Sequence, residues 1–261
     1  MKVYLAATSG VKDQFLDGTI RPEEVYILES YYSFQDWQKP LINRFKSFLL
    51  DSGAFTFLNS VKTRGNADFE RYSDMYADFI LENKVKNYFE LDIDGIVGLK
   101  EVERLRNRIE SRVGWQSIPV WHRNRGKEYF LSMCKDYRYI SIGGIVTKEI
   151  PVQTYEKLFP WFISTAHKYG TKIHGLGYTR GCQTIKGGIK DYHFDSVDST
   201  SWCKAARWGE AWEFILKEGR IKAHEGNIIG GGKRRMKDTK VGDIHNFIEW
   251  IKFQKYADIF L

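Results

Sequence analysis

An α/β fold is the expectation for this chain: one (β/α)8 TIM-type barrel over residues 1–261, with an extra C-terminal helix. Three observations predict it. Eight short apolar, β-rich runs alternate with amphipathic segments, which is the pattern of parallel strands joined by crossover helices. A length of 261 residues suits one barrel. Most of the later runs end in polar residues able to do chemistry, as barrel strands do where their C-terminal tips ring a site.

The runs lie at 3–7, 25–28, 48–52, 88–94, 118–122, 139–144, 172–177 and 194–199. Between the third and fourth, Phe69, Tyr72, Met75, Tyr76, Phe79 and Ile80 mark one face of a helix, with Glu70, Arg71 and Asp74 mostly off it. Residues 99–113 form a charged helix with sparse apolar positions, and 128–137 and 154–169 follow the same scheme. The last barrel helix is expected over 201–216 and the C-terminal one over 243–256. An open doubly wound sheet is the alternative, but Thr8-Ser9-Gly10 after the first run is a poor phosphate-binding turn.

At 43% apolar and 15% aromatic the chain can bury a full core. A formal charge of +7 suits a polyanionic partner without proving one. Cys134, Cys182 and Cys203 are dispersed, so neither a zinc site nor a disulfide framework is expected, and no metal or other cofactor. No apolar stretch reaches the roughly 20 residues of a membrane span. The expectation is a soluble, cytoplasmic protein without a membrane partner.

The third run, Phe48-Leu49-Leu50, ends in Asp51-Ser52-Gly53. An apolar strand that ends in a carboxylate and a glycine presents the acid at its tip and lets the backbone approach a ligand; Asp51 as a helix N-cap is the plainer alternative. The fourth run carries Glu90, Asp92 and Asp94, which alternation places on one side of the strand. Three buried carboxylates must pair with Arg or Lys, meet ligand donors, or reach the mouth. The fifth run ends at Trp121-His122-Arg123, the sixth at Gly143-Gly144, the seventh at His174-Gly175-Leu176-Gly177, and the eighth at Asp198-Ser199-Thr200-Ser201. His122 could instead be a satisfied core histidine, and His167, His193, His224 and His245 lie away from strand ends. Trp121, Phe55 or Tyr178 could stack on a base, though each is more often packing.

Asp51-Ser52-Gly53-Ala54-Phe55 resembles the Asp-Ser-Gly-Gly-Phe/Tyr signature of the tRNA-guanine transglycosylase superfamily. The acidic run 89–94, the Ile142-Gly143-Gly144-Ile145 strand end and a late strand with an aspartate follow in matching order. Ser196-Val197-Asp198-Ser199-Thr200-Ser201-Trp202 and Pro119-Val120-Trp121-His122 look most like the smaller, phage-type branch, whose members include DNA guanine transglycosylases. The resemblance implies a (β/α) barrel that exchanges guanine in DNA for a free 7-deazaguanine base. It implies Asp198 as nucleophile, with Asp195 the competing alignment, and Asp51 as general acid/base. Asp92 would recognise the base, with Asp94 the fallback, and Gly143 and Gly144 would contact the purine through their backbone. Ser52, Gly53, Phe55, His122 and His174 stand with these residues as substrate contacts.

The zinc signature of the tRNA enzymes, CxCxxC and a later histidine, is missing from the sequence, which favours DNA over tRNA. A nucleic-acid substrate calls for phosphate-binding cations. Arg123, Arg125 and Lys127 follow a strand end, and Lys233, Arg234, Arg235 and Lys237 follow Gly230-Gly231-Gly232. Other classes remain in view: a barrel glycosidase or lyase for a small nucleoside-like metabolite, and a nucleic-acid-binding barrel without activity. The sequence does not identify a helper protein.

Overall fold

The fold is that of a computed structural model, which describes residues 1–53, 56, 68–225 and 239–261. Seven parallel strands form its central sheet: β1 Lys2–Ala6, β2 Tyr26–Ser30, β3 Ser47–Asp51, β4 Val120–Trp121, β5 Tyr139–Ile142, β6 Lys172–Gly175 and β7 Ser196–Ser199. Their order is β3-β2-β1-β7-β6-β5-β4. The expected α/β class and parallel strands are therefore present.

The fourth run differs from expectation. Only its first two residues pair, Tyr88 with Leu50 and Phe89 with Ile118, as single parallel bridges between β3 and the segment leading into β4. The cause is Glu90. A continuing ladder would give the Val120 N–H to a main-chain carbonyl; the Glu90 side chain accepts it instead, at 2.7 Å. The chain then turns into the one-turn helix α3, Asp94–Val97.

The sheet is curled, with residues of β1, β2, β3 and the 89–120 region meeting on its concave side. Tyr4, Ala6, Tyr26, Leu28, Leu49, Phe89, Ile118 and Val120 form a core of their own there. Helices cover the convex side over a larger core. After α1, Lys12–Leu16, these are α2 Phe69–Glu82, α4 Leu99–Val113, α5 Gly126–Asp136 and α6 Val152–Lys168. Asp68 caps α2 by accepting the Arg71 N–H at 2.9 Å. Arginines of α4 clasp aspartates of α2, Arg108 on Asp74 at 2.7 Å and Arg112 on Asp78 at 2.5 Å. These pairs are solvent-exposed, so they register the helices more than they stabilise them.

The segment 201–216 is not one helix. Helix α7, Ser201–Ala206, stops before Gly209, whose φ of 71° no helix residue adopts. The chain then forms β8, Glu210–Ile215, antiparallel to β9, Arg220–Glu225. Its partner is the C-terminal helix α8, Lys240–Phe260, longer at both ends than expected. Asn246 accepts the Trp212 N–H at 2.7 Å and Glu249 the Phe214 N–H at 2.8 Å. Gln254 accepts the Tyr26 N–H and donates to the Val3 and Tyr26 carbonyls. Buried polar residues on α8 thus satisfy backbone groups of β8 and of β1–β2. Among the described residues no helix is long and apolar enough to cross a membrane.

Candidate active site

Three carboxylates from separate parts of the chain gather at the C-terminal ends of the strands, Asp92 and Asp198 both close enough to Asp51 for their charges to act on it. Asp51 closes β3, Asp92 follows the Tyr88–Phe89 bridges, and Asp198 sits in β7. Asp51 accepts the Gly53 N–H at 3.0 Å. Gly53 has a φ of 84°, and a Cβ there would collide with Tyr32 Cβ, so the turn requires glycine. Burial pushes the Asp51 carboxyl up to about 6, and the charges of Asp92 and Asp198 add to that push against the Gly53 hydrogen bond. Ser52 is buried, with its main-chain carbonyl accepting from Tyr72 at 2.6 Å.

Asp198 is 9% exposed. Its Oδ1 accepts the Gly177 N–H at 2.6 Å and faces His174 Nε2 at 3.1 Å. Gly177 turns the chain after β6 with a φ of 67°. The competing aspartate lies elsewhere. Asp195 precedes β7, and its carboxylate accepts the Ile173 N–H at 2.9 Å and meets His167 at 3.0 Å. Its carbonyl accepts the Lys2 N–H at the start of β1. Three residues of strand, roughly 10 Å, separate it from Asp198, toward the opposite end of the sheet. The structure brings Asp198, and not Asp195, to Asp51.

Beside Asp92, His122 is gripped from both sides: Nε2 meets Asp92 Oδ1 at 2.7 Å and Nδ1 meets Glu149 Oε1 at 2.5 Å. Burial works against the charged ring, but Asp92 and Glu149 outweigh it and raise His122 to about 10. Burial raises Glu149 in turn, and the His122 bond more than offsets this, holding it below its ordinary range. The two glycines after β5 make room for the pair. A Cβ on Gly143 would lie 2.7 Å from the His122 ring, and one on Gly144 would lie 2.6 Å from the Glu149 carboxylate. The glycines are expected as backbone contacts to a purine; the space of their missing side chains is filled by His122 and Glu149. Asp92, Asp94, His122, Arg123, Thr147 and Glu149 border a cavity of about 540 Å3. A hollow of about 680 Å3 at the other end of the sheet, bordered by Trp115, Arg138 and Tyr169, has a single acid, Asp136, on its wall.

Several expected contacts sit elsewhere. Arg125, expected on a phosphate, is fully buried and binds Asp94 through Nε and Nη2, each at 2.7 Å, and Glu90 at 2.7 Å. Arg106 completes the cluster on Glu90 at 2.9 Å. Burial raises Asp94, but Arg125 overrides it and holds the carboxyl below its ordinary value. The acids of the fourth run therefore divide: Glu90 is fully buried between Arg106 and Arg125, Asp94 borders the cavity but is held by Arg125, and Asp92 meets His122. His174 is fully buried below Asp198 rather than facing a substrate. Trp121 and Tyr178 are core residues. Arg123 and Lys127 are exposed, Lys127 with its ammonium 5.5 Å from the Trp161 ring centroid. Phe55, Lys233, Arg234, Arg235 and Lys237 lie outside the described residues.

Glu149 is the site residue that sequence reasoning missed. Its signal is an acid five residues beyond the Gly143-Gly144 strand end, in a loop that must return past the mouth. Among the described residues no group of three or more His, Cys, Asp or Glu side chains is placed to hold a metal ion. No protein-family model matches the chain, and no curated protein matches it in sequence.

Proposed function

We propose that this chain is a base-exchange transglycosylase that replaces guanine in DNA with a 7-deazaguanine through a covalent aspartyl-sugar intermediate. The single observation that carries the reading is the convergence of Asp92 and Asp198 on Asp51, with Asp51 raised to about 6 while Asp198 accepts the Gly177 N–H and lies 3.1 Å from His174 Nε2. Two carboxylates in different environments are what base exchange requires: one attacks and the other moves a proton. In the first half-reaction an Asp198 oxygen bonds to C1′ and the C1′–N9 bond breaks. The bond pair leaves with guanine, which takes the proton of Asp51. In the second, the incoming base gives its N9 proton to Asp51, N9 bonds to C1′, and the Asp198 carboxylate is released. Asp92 has its Oδ1 on His122, and its other oxygen suits the N–H groups of the guanine edge.

The finer fold belongs to the same proposal. The bridges from Leu50 to Tyr88 and from Phe89 to Ile118 span the gap between β3 and β4, which supports an eight-membered (β/α) barrel as a single domain. A duplex hides its glycosidic bonds, so the target nucleotide enters flipped out or single-stranded. Exposed Arg123 borders the cavity and exposed Lys148 lies between the cavity residues Thr147 and Glu149, and both suit a phosphate backbone. Exposed cations also mark the far end, among them Lys86 and Lys135, so it is the carboxylates, not the charge, that single out the mouth. DNA is preferred to tRNA on the missing zinc signature, and a DNA-modifying enzyme of this kind works in the cytoplasm.

The test is release of radiolabelled guanine from DNA when a free 7-deazaguanine base is supplied. Release dependent on that base, and faster from DNA than from tRNA at matched salt, is expected. Faster release from tRNA would move the substrate to tRNA; release from neither would overturn the reading.

A further inference from the structure

We propose that His174 is a positioning residue for the nucleophile: a buried hydrogen-bond chain, Tyr139 to Ser196 to His174, fixes its ring so that Nε2–H holds Asp198 Oδ1 and leaves Oδ2 to attack. The proposal rests on the base-exchange reading. His174 Nδ1 lies 2.6 Å from Ser196 Oγ, Nε2 lies 3.1 Å from Asp198 Oδ1, and Ser196 Oγ is hydrogen-bonded to the Tyr139 hydroxyl. The strand registers assemble this row. His174 pairs with Ser196 across β6 and β7, and Ser196 and Asp198 are two apart on β7, so their side chains share one side of the sheet.

The partners dictate the proton order. A carboxylate only accepts, so Nε2 of His174 donates to Asp198. In the neutral ring Nδ1 then accepts, so the Ser196 hydroxyl donates to it, and the serine oxygen accepts from Tyr139. Burial drives the Tyr139 hydroxyl well above its ordinary range, which keeps it a donor. Every member has a partner and the direction is unbroken. The ring cannot turn away, because Phe89, Tyr4 and Tyr139 wall it at centroid distances of 5.4, 6.2 and 6.5 Å.

A core histidine satisfied by chance has no reason to end on the attacking acid. Here both donors, Gly177 N–H and His174 Nε2–H, fall on the same oxygen of Asp198. When Oδ2 bonds to C1′, Oδ1 becomes the ester carbonyl. When the incoming base displaces Asp198, the carbon–Oδ2 bond breaks, its electron pair returns to the carboxylate, and the charge reappears against both donors. A hydrogen bond to a charged acceptor is stronger than one to a neutral ester. His174 therefore aids release of Asp198 more than it aids DNA binding.

The experiment is a chase. The covalent intermediate is formed on a guanine-containing single-stranded oligonucleotide, and its breakdown by excess free guanine is timed. His174→Phe keeps the aromatic packing and removes the donor; His174→Gln sacrifices packing and keeps an amide N–H. Breakdown about 10- to 100-fold slower is expected in His174→Phe, the span of one charge-assisted hydrogen bond, with unchanged oligonucleotide affinity. His174→Gln should recover most of the loss, whereas a purely structural histidine would rank the two variants the other way. In parallel, 15N shifts of the wild-type ring should show the Nε2–H tautomer, with Ser196→Ala weakening that preference. Breakdown in His174→Phe at the wild-type rate, phenylalanine outperforming glutamine, or an Nδ1–H tautomer would each overturn the proposal. If wild type forms no intermediate, the base-exchange reading itself fails, and this role with it.

Discussion

Replacing Asp51 by asparagine should stabilise the protein above pH 7 while slowing catalysis. Burial and the neighbouring Asp92 and Asp198 charges raise the Asp51 carboxyl from 3.8 to about 6. The folded state therefore binds this proton more tightly than the unfolded chain does. As pH climbs from about 4 to about 6, the unfolded state loses the proton first, so stability falls across that window and stays lower above it. At 1.36 kcal/mol per pH unit, the ionised Asp51 costs about 3 kcal/mol at neutral pH. The substituted amide keeps an oxygen for the Gly53 N–H and carries no charge. Asp51→Asn should then gain up to about 3 kcal/mol at pH 8, or about 6–12 °C in Tm for a chain of this size, and nothing at pH 3.5. Turnover should drop by two to four orders of magnitude, the usual span for a general acid/base, with substrate affinity retained. Paired thermal melts at the two pH values and steady-state guanine release check both halves. An Asp51→Asn protein less stable than wild type at pH 8, or equally stabilised at pH 3.5, would refute the electrostatic account. Lost affinity with normal turnover would make Asp51 a positioning residue.

Glu149→Gln removes one of the two carboxylates that hold His122 charged, so the His122 titration should move down from about 10 toward 6.5; NMR titration of the ring checks it, and an unmoved midpoint would assign the whole effect to Asp92. Arg125→Met leaves Glu90 and Asp94 buried against one remaining arginine, and urea unfolding should show a loss of about 3–5 kcal/mol. The loss would be far smaller if Arg125 were a surface phosphate ligand. Arg123→Ala with Lys127→Ala should flatten the slope of log affinity against log salt by up to about 2 for duplex DNA; an unchanged slope would make both residues solvated charges.

Much of the fold was legible because apolar runs of strand length keep their period wherever both faces are buried. Seven of the eight expected runs form strands of the central sheet. The fourth run escaped because its alternating acids imitate a strand, while Glu90 takes the hydrogen bond the ladder needed. The segment 201–216 was misread because apolar spacing there fits a short helix followed by a half-buried strand, and Gly209 marks the break. In the site, Asp51 and Asp198 were legible as acids at strand tips. Choosing between Asp198 and Asp195 required knowing which end of β7 faces Asp51, which sequence spacing does not state. Arg125 reads as a surface cation because burial of an arginine depends on two acids, Glu90 and Asp94, more than 30 positions away. His174 reads as a substrate contact because it precedes a glycine-rich strand end, yet register puts it one layer below, beside Ser196.

In the proposed exchange Asp198 carries the sugar between the two half-reactions. The most direct test of this role is peptide mapping by mass spectrometry of wild-type protein quenched with a guanine-containing oligonucleotide in the absence of an incoming base. One covalent nucleotide adduct is expected on the peptide that spans residues 191–204, localised by fragmentation to Asp198, and absent from Asp198→Ala. An adduct localised to Asp195, or one that persists in Asp198→Ala, would contradict this role.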